Sequence, residues 1–204
     1  DTDRPERATP YPKRVLIFSP HPDDDVISMG GTFRRLCDQH HDVHVAYQTS
    51  GNIAVGDEEV VRYCEYLRDV CSKYSPSDTV IKDKANEIIH YLRYEKVENN
   101  EAERPDVLFM KGTIRREEAR HACRYTGIKD DSHIHFLDLP FYETGLVKKN
   151  PISEADKDII KNLLEELKPD QIFVAGDLAD PHGTHKVCLD AILAAVDEIK
   201  DEDW

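Results

Sequence analysis

The chain has 204 residues, with 27 lysines and arginines against 41 aspartates and glutamates, which gives a formal net charge of −14. A surface this acidic repels phosphate backbones and excludes a general nucleic-acid binder, and the sequence holds no run of about 18 apolar residues that could act as a membrane span or secretory leader. The length suits one α/β domain carrying an insertion better than two full domains.

The five cysteines, Cys37, Cys64, Cys71, Cys123 and Cys188, are odd in number and none lies two residues from another. They read as reduced, mostly buried thiols, which points to a cytoplasmic protein. The chain opens at Asp1 without a methionine and stops at Trp204 just after a helical pattern, so it is expected to be cut from a longer polypeptide, with residues 1–13 as a linker or tail.

Arg14 to Ser19 contains the unbroken apolar run Val15-Leu16-Ile17-Phe18, the signature of a strand buried on both faces of a parallel sheet. The loop Pro20 to Asp25 follows, then a helix from Val26 to Gln39 and a second strand from Val43 to Thr49. Together they form a βαβ unit with a right-handed crossover. A charged helical insertion of about residues 56–112 comes next, with a stripe of Val60, Val61, Cys64, Leu67 and Val70, a break at Ser75-Pro76-Ser77-Asp78 and an exit loop over Glu98 to Pro105. No chemistry stands out in it.

A helix from about Thr113 to Tyr125 ends at Gly127, placed as a left-handed residue past a helix end, and a strand runs from Ile134 to Leu139. The next helix, Pro151 to Lys168, is entered through Ser153 with Asp156 three residues on as an approximate capping box. A strand at Gln171 to Ala175 and a helix from Thr184 to Lys200 complete the pattern. The alternation predicts a three-layer α/β/α Rossmann-like sandwich around a mostly parallel sheet. In such sheets ligands bind beyond the carboxyl ends of the strands, so the residues after Ser19, Thr49, Leu139 and Ala175 are the place to look for function.

The first of those loops reads His21-Pro22-Asp23-Asp24-Asp25. Three adjacent carboxylates repel one another, and once partly buried they need protonation, pairing or a metal. A solvated turn capping the next helix is the bland alternative. The loop after the last strand carries His182 and His185, three residues apart at the start of a helix, where both can project from one side of its first turn. Two imidazoles and an aspartate with an open position describe a catalytic mononuclear zinc site better than a closed structural one, and ferrous iron suits the same donors. His133 and His135, beside a strand, read as ordinary core or surface residues, and His40-His41 as a helix-to-strand turn.

These motifs resemble the PIG-L/LmbE-like metal-dependent deacetylases, which remove the acetyl group from N-acetylglucosamine units. The resemblance rests on the strand followed by His21-Pro22-Asp23-Asp24, on Gly30-Gly31, Thr49-Ser50-Gly51, Arg115 with Glu118, and His182 with His185. It implies that His21, Asp24 and His185 bind the metal, that Asp23 is the general base, and that His182 steadies the oxyanion or protonates the leaving amine. Arg115 matches the family's substrate-binding arginine and Glu143 lies where a sugar-hydroxyl acceptor is expected, although Arg115 three residues before Glu118 is also the spacing of an ordinary helix ion pair.

The chain departs from the family in two places. Asp25 stands where a glutamate is usual, and Gly183-Thr184 stands where Pro-Asp usually separates the two histidines. The second change removes a carboxylate that would fix the tautomer of His182 and leaves Asp177 or Asp180 to tune it. The wording of both loops resembles a subgroup that follows a glucosamine-6-phosphate deaminase-like domain in one bacterial polypeptide. The resemblance implies a zinc-dependent deacetylase of small amino-sugar substrates. Its rivals are a non-catalytic sugar-phosphate or metal-binding regulatory domain and another metal-dependent hydrolase on the same scaffold. A dinucleotide-binding protein is disfavoured, because no Gly-x-Gly-x-x-Gly follows the first strand.

Overall fold

The computed structural model describes residues 11–77, 79–97, 101–176 and 183–201. They fall into two compact units, the larger built from Asp1–Ser50, Arg116–Thr144 and Lys149–Trp204, the smaller from Gly51–Arg115 with Gly145–Lys148.

The larger unit holds a four-stranded, all-parallel sheet. β1 (Arg14–Ser19) lies between β2 (Asp42–Tyr47) and β4 (Gln171–Phe173), and β3 (Ile134–Phe136) pairs with the far side of β2. Successive β1 residues point to opposite faces, and both faces are covered, which explains the continuous apolar run. Leu16 and Phe18 pack with Ile160, Leu164, Ala191 and Ile192 of α5 (Glu154–Leu167) and α6 (Thr184–Ile199). Val15 and Ile17 pack with Phe33 of α1 (Asp24–Asp38) and with Ala119 and Cys123 of α4 (Pro105–Thr126). This is the expected Rossmann-like α/β/α arrangement.

Several boundaries move, each for a local reason. The strands end before Thr49, Leu139 and Ala175, but the chain beyond them keeps bonding: Gln48 N–H donates to Ser19 O at 2.9 Å and Leu139 N–H to Gln48 O at 2.9 Å. The carboxyl-terminal rim is thereby pinned past the ladder. α4 begins at Pro105, eight residues before the expected Thr113. A proline at the first helical position gives up an N–H that has no partner there, so Pro105 starts this helix rather than closing the exit loop. Gly127 has φ +122°, outside the left-handed helical well, and a β-carbon there would lie 2.9 Å from that of Cys37. Gly127 does end the helix at positive φ, its own N–H and that of Ile128 donating to Cys123 O at 3.1 and 3.0 Å, and the close approach of Cys37 is a second reason for glycine there.

The smaller unit extends the expected 56–112 insertion in both directions and recruits residues 145–148. Val60, Val61 and Cys64 of α2 (Asp57–Tyr74) pack against Ala85 and Ile88 of α3 (Val80–His90) and against Val107 and Ile114. It also contains an ionic cluster that the sequence did not announce. Asp57 accepts from Lys96 at 2.6 Å and Lys111 at 2.7 Å, and Glu103 accepts from Lys96 at 2.5 Å, beside a cavity of about 820 Å³.

α5 is entered as expected through Ser153. Asp156, fully buried, accepts from Ser153 N–H at 2.8 Å and Ser153 Oγ at 2.6 Å through one oxygen, and from Phe141 N–H at 2.9 Å through the other. Asp156→Ala leaves the Phe141 amide buried without its acceptor and is expected to cost about 2–3 kcal/mol, against about 1 kcal/mol for Ser153→Ala. Urea denaturation of the two variants measures both costs.

His133 and His135 are less ordinary than expected. They stack on buried His44 at ring-centroid distances of 4.2 and 5.3 Å. Burial, helped by the neighbouring His133 and His135 and by Arg14 and opposed by Asp42, pushes the His44 pKa down to about 4. An unfolded histidine titrates near 6.5, so the folded chain holds His44 neutral where the unfolded chain does not. This contribution to stability is complete above pH 6.5 and is lost as pH falls toward 4, by about 2–3 kcal/mol across that window. In EDTA, His44→Gln is expected to flatten the urea-midpoint profile between those pH values relative to the parent chain.

Candidate metal centre

The site grows from the β1–α1 turn. Ser19, fully buried, donates its hydroxyl to His21 O at 2.6 Å and accepts from Asp25 N–H at 3.1 Å, which folds the acidic loop back over the strand end. Asp23 is the N-cap residue of α1, and its carbonyl receives the amides of Val26 and Ile27 at 3.1 and 3.0 Å. Its carboxylate makes no hydrogen bond to the helix amides.

The three carboxylates have separate fates. Asp24 Oδ2 accepts from His21 N–H at 2.9 Å and lies 3.1 Å from His21 Nδ1 and 3.2 Å from His185 Nε2. Burial opposes its charge, but these bonds and the nearby imidazoles outweigh burial and hold its pKa below the usual carboxylate range. Asp25 turns inward, accepting from Tyr47 Oη at 2.8 Å, and burial pushes its pKa up. Tyr47 also meets Cys123 Sγ at 3.2 Å, and the Cys123 thiol is driven up to about 12 by burial, so it stays protonated and inert. Tyr47→Phe removes the donor to a buried carboxyl oxygen. It is expected to cost about 1–3 kcal/mol, measurable as a lower urea midpoint with an unchanged slope.

His185 lies in the first turn of α6, which is entered through Gly183 at φ +71°. A β-carbon at Gly183 would meet open space but would strain the backbone, which gives the Gly183-Thr184 departure a conformational reason. One ligand atom each from His21, Asp24 and His185 lies within 4.8 Å of the others. A tetrahedral ion with bonds of about 2.0–2.1 Å spaces its ligand atoms about 3.3 Å apart, and the two distances to Asp24 Oδ2 match that edge. The donor set, two imidazoles and one carboxylate, fits a divalent borderline metal.

Glu143 sits on the same rim, its two oxygens receiving Ser50 N–H and Ser50 Oγ, each at 3.0 Å. The Thr49-Ser50-Gly51 motif thus anchors this side chain. Beside it are two residues that sequence reasoning missed. Tyr142 meets the His21 ring edge-on at 5.8 Å, and Lys149 Nζ lies 3.5 Å from the centroid of the Tyr142 ring and donates to Tyr142 O at 2.9 Å. Burial lowers the Lys149 pKa to about 8, against the pull of Glu143. Only its nearness to Glu143 in the sequence could have flagged it. Arg115 belongs to the smaller unit and is partly buried. His182, Asp177 and Asp180 lie outside the described residues.

Fold and donor set together define a Rossmann-like α/β domain with a histidine–aspartate centre on the carboxyl-terminal rim of its sheet. Residues 16–196 match the GlcNAc-PI de-N-acetylase family, PIG-L, and the chain belongs to that family. Over 203 residues, 99% of this chain, it is 63% identical to a Bacteroides thetaiotaomicron protein named glucosamine-6-phosphate deaminase-like, and covers 30% of that protein. Over 48 residues, 24% of this chain, it is 44% identical to the diacetylchitobiose deacetylase of Thermococcus kodakarensis, and covers 18% of it. The chain thus spans less than a third of the length of either relative. Among the described residues no helix is long and apolar enough to cross a membrane, and the cysteines form no disulfide.

Proposed function

We propose that this chain is a metal-dependent N-deacetylase that hydrolyses the acetamide of an N-acetylated amino sugar or its conjugate, releasing acetate and a free amine. The observation that carries this reading is the convergence of His21 Nδ1 and His185 Nε2 on one oxygen of Asp24 in a chain of the de-N-acetylase family. His21, Asp24 and His185 would hold the ion. When bound, a divalent ion, zinc by preference and ferrous iron as the alternative, supplies Lewis-acid polarisation of the amide carbonyl and lowers the pKa of water.

Asp23, next to Asp24 at the entrance of α1, takes the proton from the attacking water. His182 is assigned to the oxyanion and the leaving amine on the strength of the family resemblance. Glu143, oriented by Ser50, accepts a sugar hydroxyl, and Arg115 is the second substrate contact. The similarity to a much longer deaminase-like protein supports a fused amino-sugar enzyme as the covalent neighbour, and the free cysteines suit the cytoplasm. Gly183-Thr184 between the histidines favours one second reading, a regulatory domain that keeps the pocket and binds a sugar phosphate or metal without turnover.

Elemental analysis combined with acetate release from N-acetylglucosamine and its 6-phosphate, with and without added zinc, tests the proposal. Metal-dependent acetate is expected, and bound metal without acetate on any amino-sugar substrate favours the regulatory reading. His185→Ala is expected to lose the ion held by His21 and Asp24, and turnover with it. Asp23→Asn is expected to keep the metal and lose turnover by about 10²–10⁴-fold, and retained turnover removes Asp23 as the base.

A further inference from the structure

The parallel sheet has a second rim, at the amino-terminal ends of its strands, and a second set of donors gathers there. Asp42 opens β2, His44 follows two residues later on the same face, and His133 ends the short 3-10 turn (Asp131–His133) that leads into β3. Asp42 Oδ1 lies 3.3 Å from His44 Nε2 and 3.7 Å from His133 Nδ1, and one ligand atom from each of the three lies within 4.8 Å of the others. We propose that Asp42, His44 and His133 form a second site for zinc or a similar borderline divalent ion, separate from the centre built on Asp24.

The surroundings supply what a ligating set needs beyond its donor atoms. Metal-bound imidazoles are generally oriented by a partner on the other ring nitrogen, and ligating carboxylates by a bond to their second oxygen. His44 Nδ1 lies 3.0 Å from His135 Nε2, and Asp42 Oδ2 accepts from Arg14 Nε at 2.7 Å. With His44 protonated at Nε2, which faces Asp42 Oδ1 at 3.3 Å, its Nδ1 accepts from His135 Nε2. With an ion, the Nε2 lone pair goes to the metal, and the proton shared with His135 moves onto His44 Nδ1. His135 regains a proton at its own Nδ1 as His44 gives one up from Nε2, so no net proton is gained or lost.

One ring must move. His133 lies face to face with His44, their planes 17° apart, and its Nδ1 is 3.2 Å from Val43 O. An imidazole lone pair lies in the ring plane, so two stacked rings cannot aim at one ion. His133, with a side chain 32% exposed against 9% for His44, is the ring at the surface; as its Nδ1 edge turns from Val43 O toward Asp42, the proton that Nδ1 gave to Val43 O is exchanged through solvent for one on Nε2, so the ring stays neutral. The Arg14 guanidinium beside Asp42 repels an incoming cation, which makes this the weaker of the two sites.

The test is zinc titration by calorimetry of the full chain stripped with chelator, in the parent and in His185→Ala. His185→Ala is expected to keep one zinc, bound more weakly than the first in the parent. Adding His133→Ala, which alters a side chain at the surface, is expected to lower that affinity by more than about tenfold, and His135→Leu by about 10–100-fold. In spectra of the ring protons, zinc is expected to shift His133 and His44 together as their stack opens. Zinc binding by His185→Ala that is unchanged by His133→Ala, or no zinc at all in His185→Ala, overturns the proposal. Its fate is separable from that of the first centre: zinc lost in His133→Ala but retained in His185→Ala supports this site while removing the other.

Discussion

Three carboxylates in succession at the end of a buried strand cannot share one environment, and the structure sends each to a different one. Asp24 is stabilised as an anion by the His21 amide and two imidazoles, Asp25 turns inward to Tyr47 where burial raises its pKa, and Asp23 stays at the helix entrance. The separation depends on Ser19, whose single hydroxyl bonds to both ends of the loop. Everything the site offers, a donor set for a cation and a carboxylate beside it, follows from that division of charge.

The sheet fixes where this happens. Because all four strands run parallel, the loop after β1, the Thr49-Ser50 turn after β2 and the Glu143 loop after β3 come to one rim, and the residues before the strands come to the other. The sequence foretold this much, because a strand covered on both faces reads as an unbroken apolar run and alternation with helices admits few topologies. His21, Asp24 and His185 were legible for a related reason, since donors that follow strands or open helices inherit their position from the fold.

What stayed hidden depended on contacts between distant segments or on backbone shape. Pro105 looked like an end and is a beginning, because proline's missing N–H is harmless at only one place in a helix. Gly127 is legible as the end of its helix, but the approach of the Cys37 β-carbon, which also excludes a side chain there, is not. The stacking of His44 with His133 and His135, and the Asp57–Lys96–Glu103–Lys111 cluster, join residues far apart in the chain, and nothing in their local spacing marks them. Lys149 gains its lowered pKa from burial against Tyr142, which local sequence does not reveal.

Asp156 ties two levels of organisation together. One of its oxygens closes the first turn of α5 and the other holds the amide of Phe141, the residue just before Tyr142 and Glu143. The segment that carries Glu143 therefore cannot leave its place without unfastening a helix whose inner face is core. A flexible loop would have to be ordered anew by each substrate. Here that ordering is completed during folding, and Glu143 is already in position.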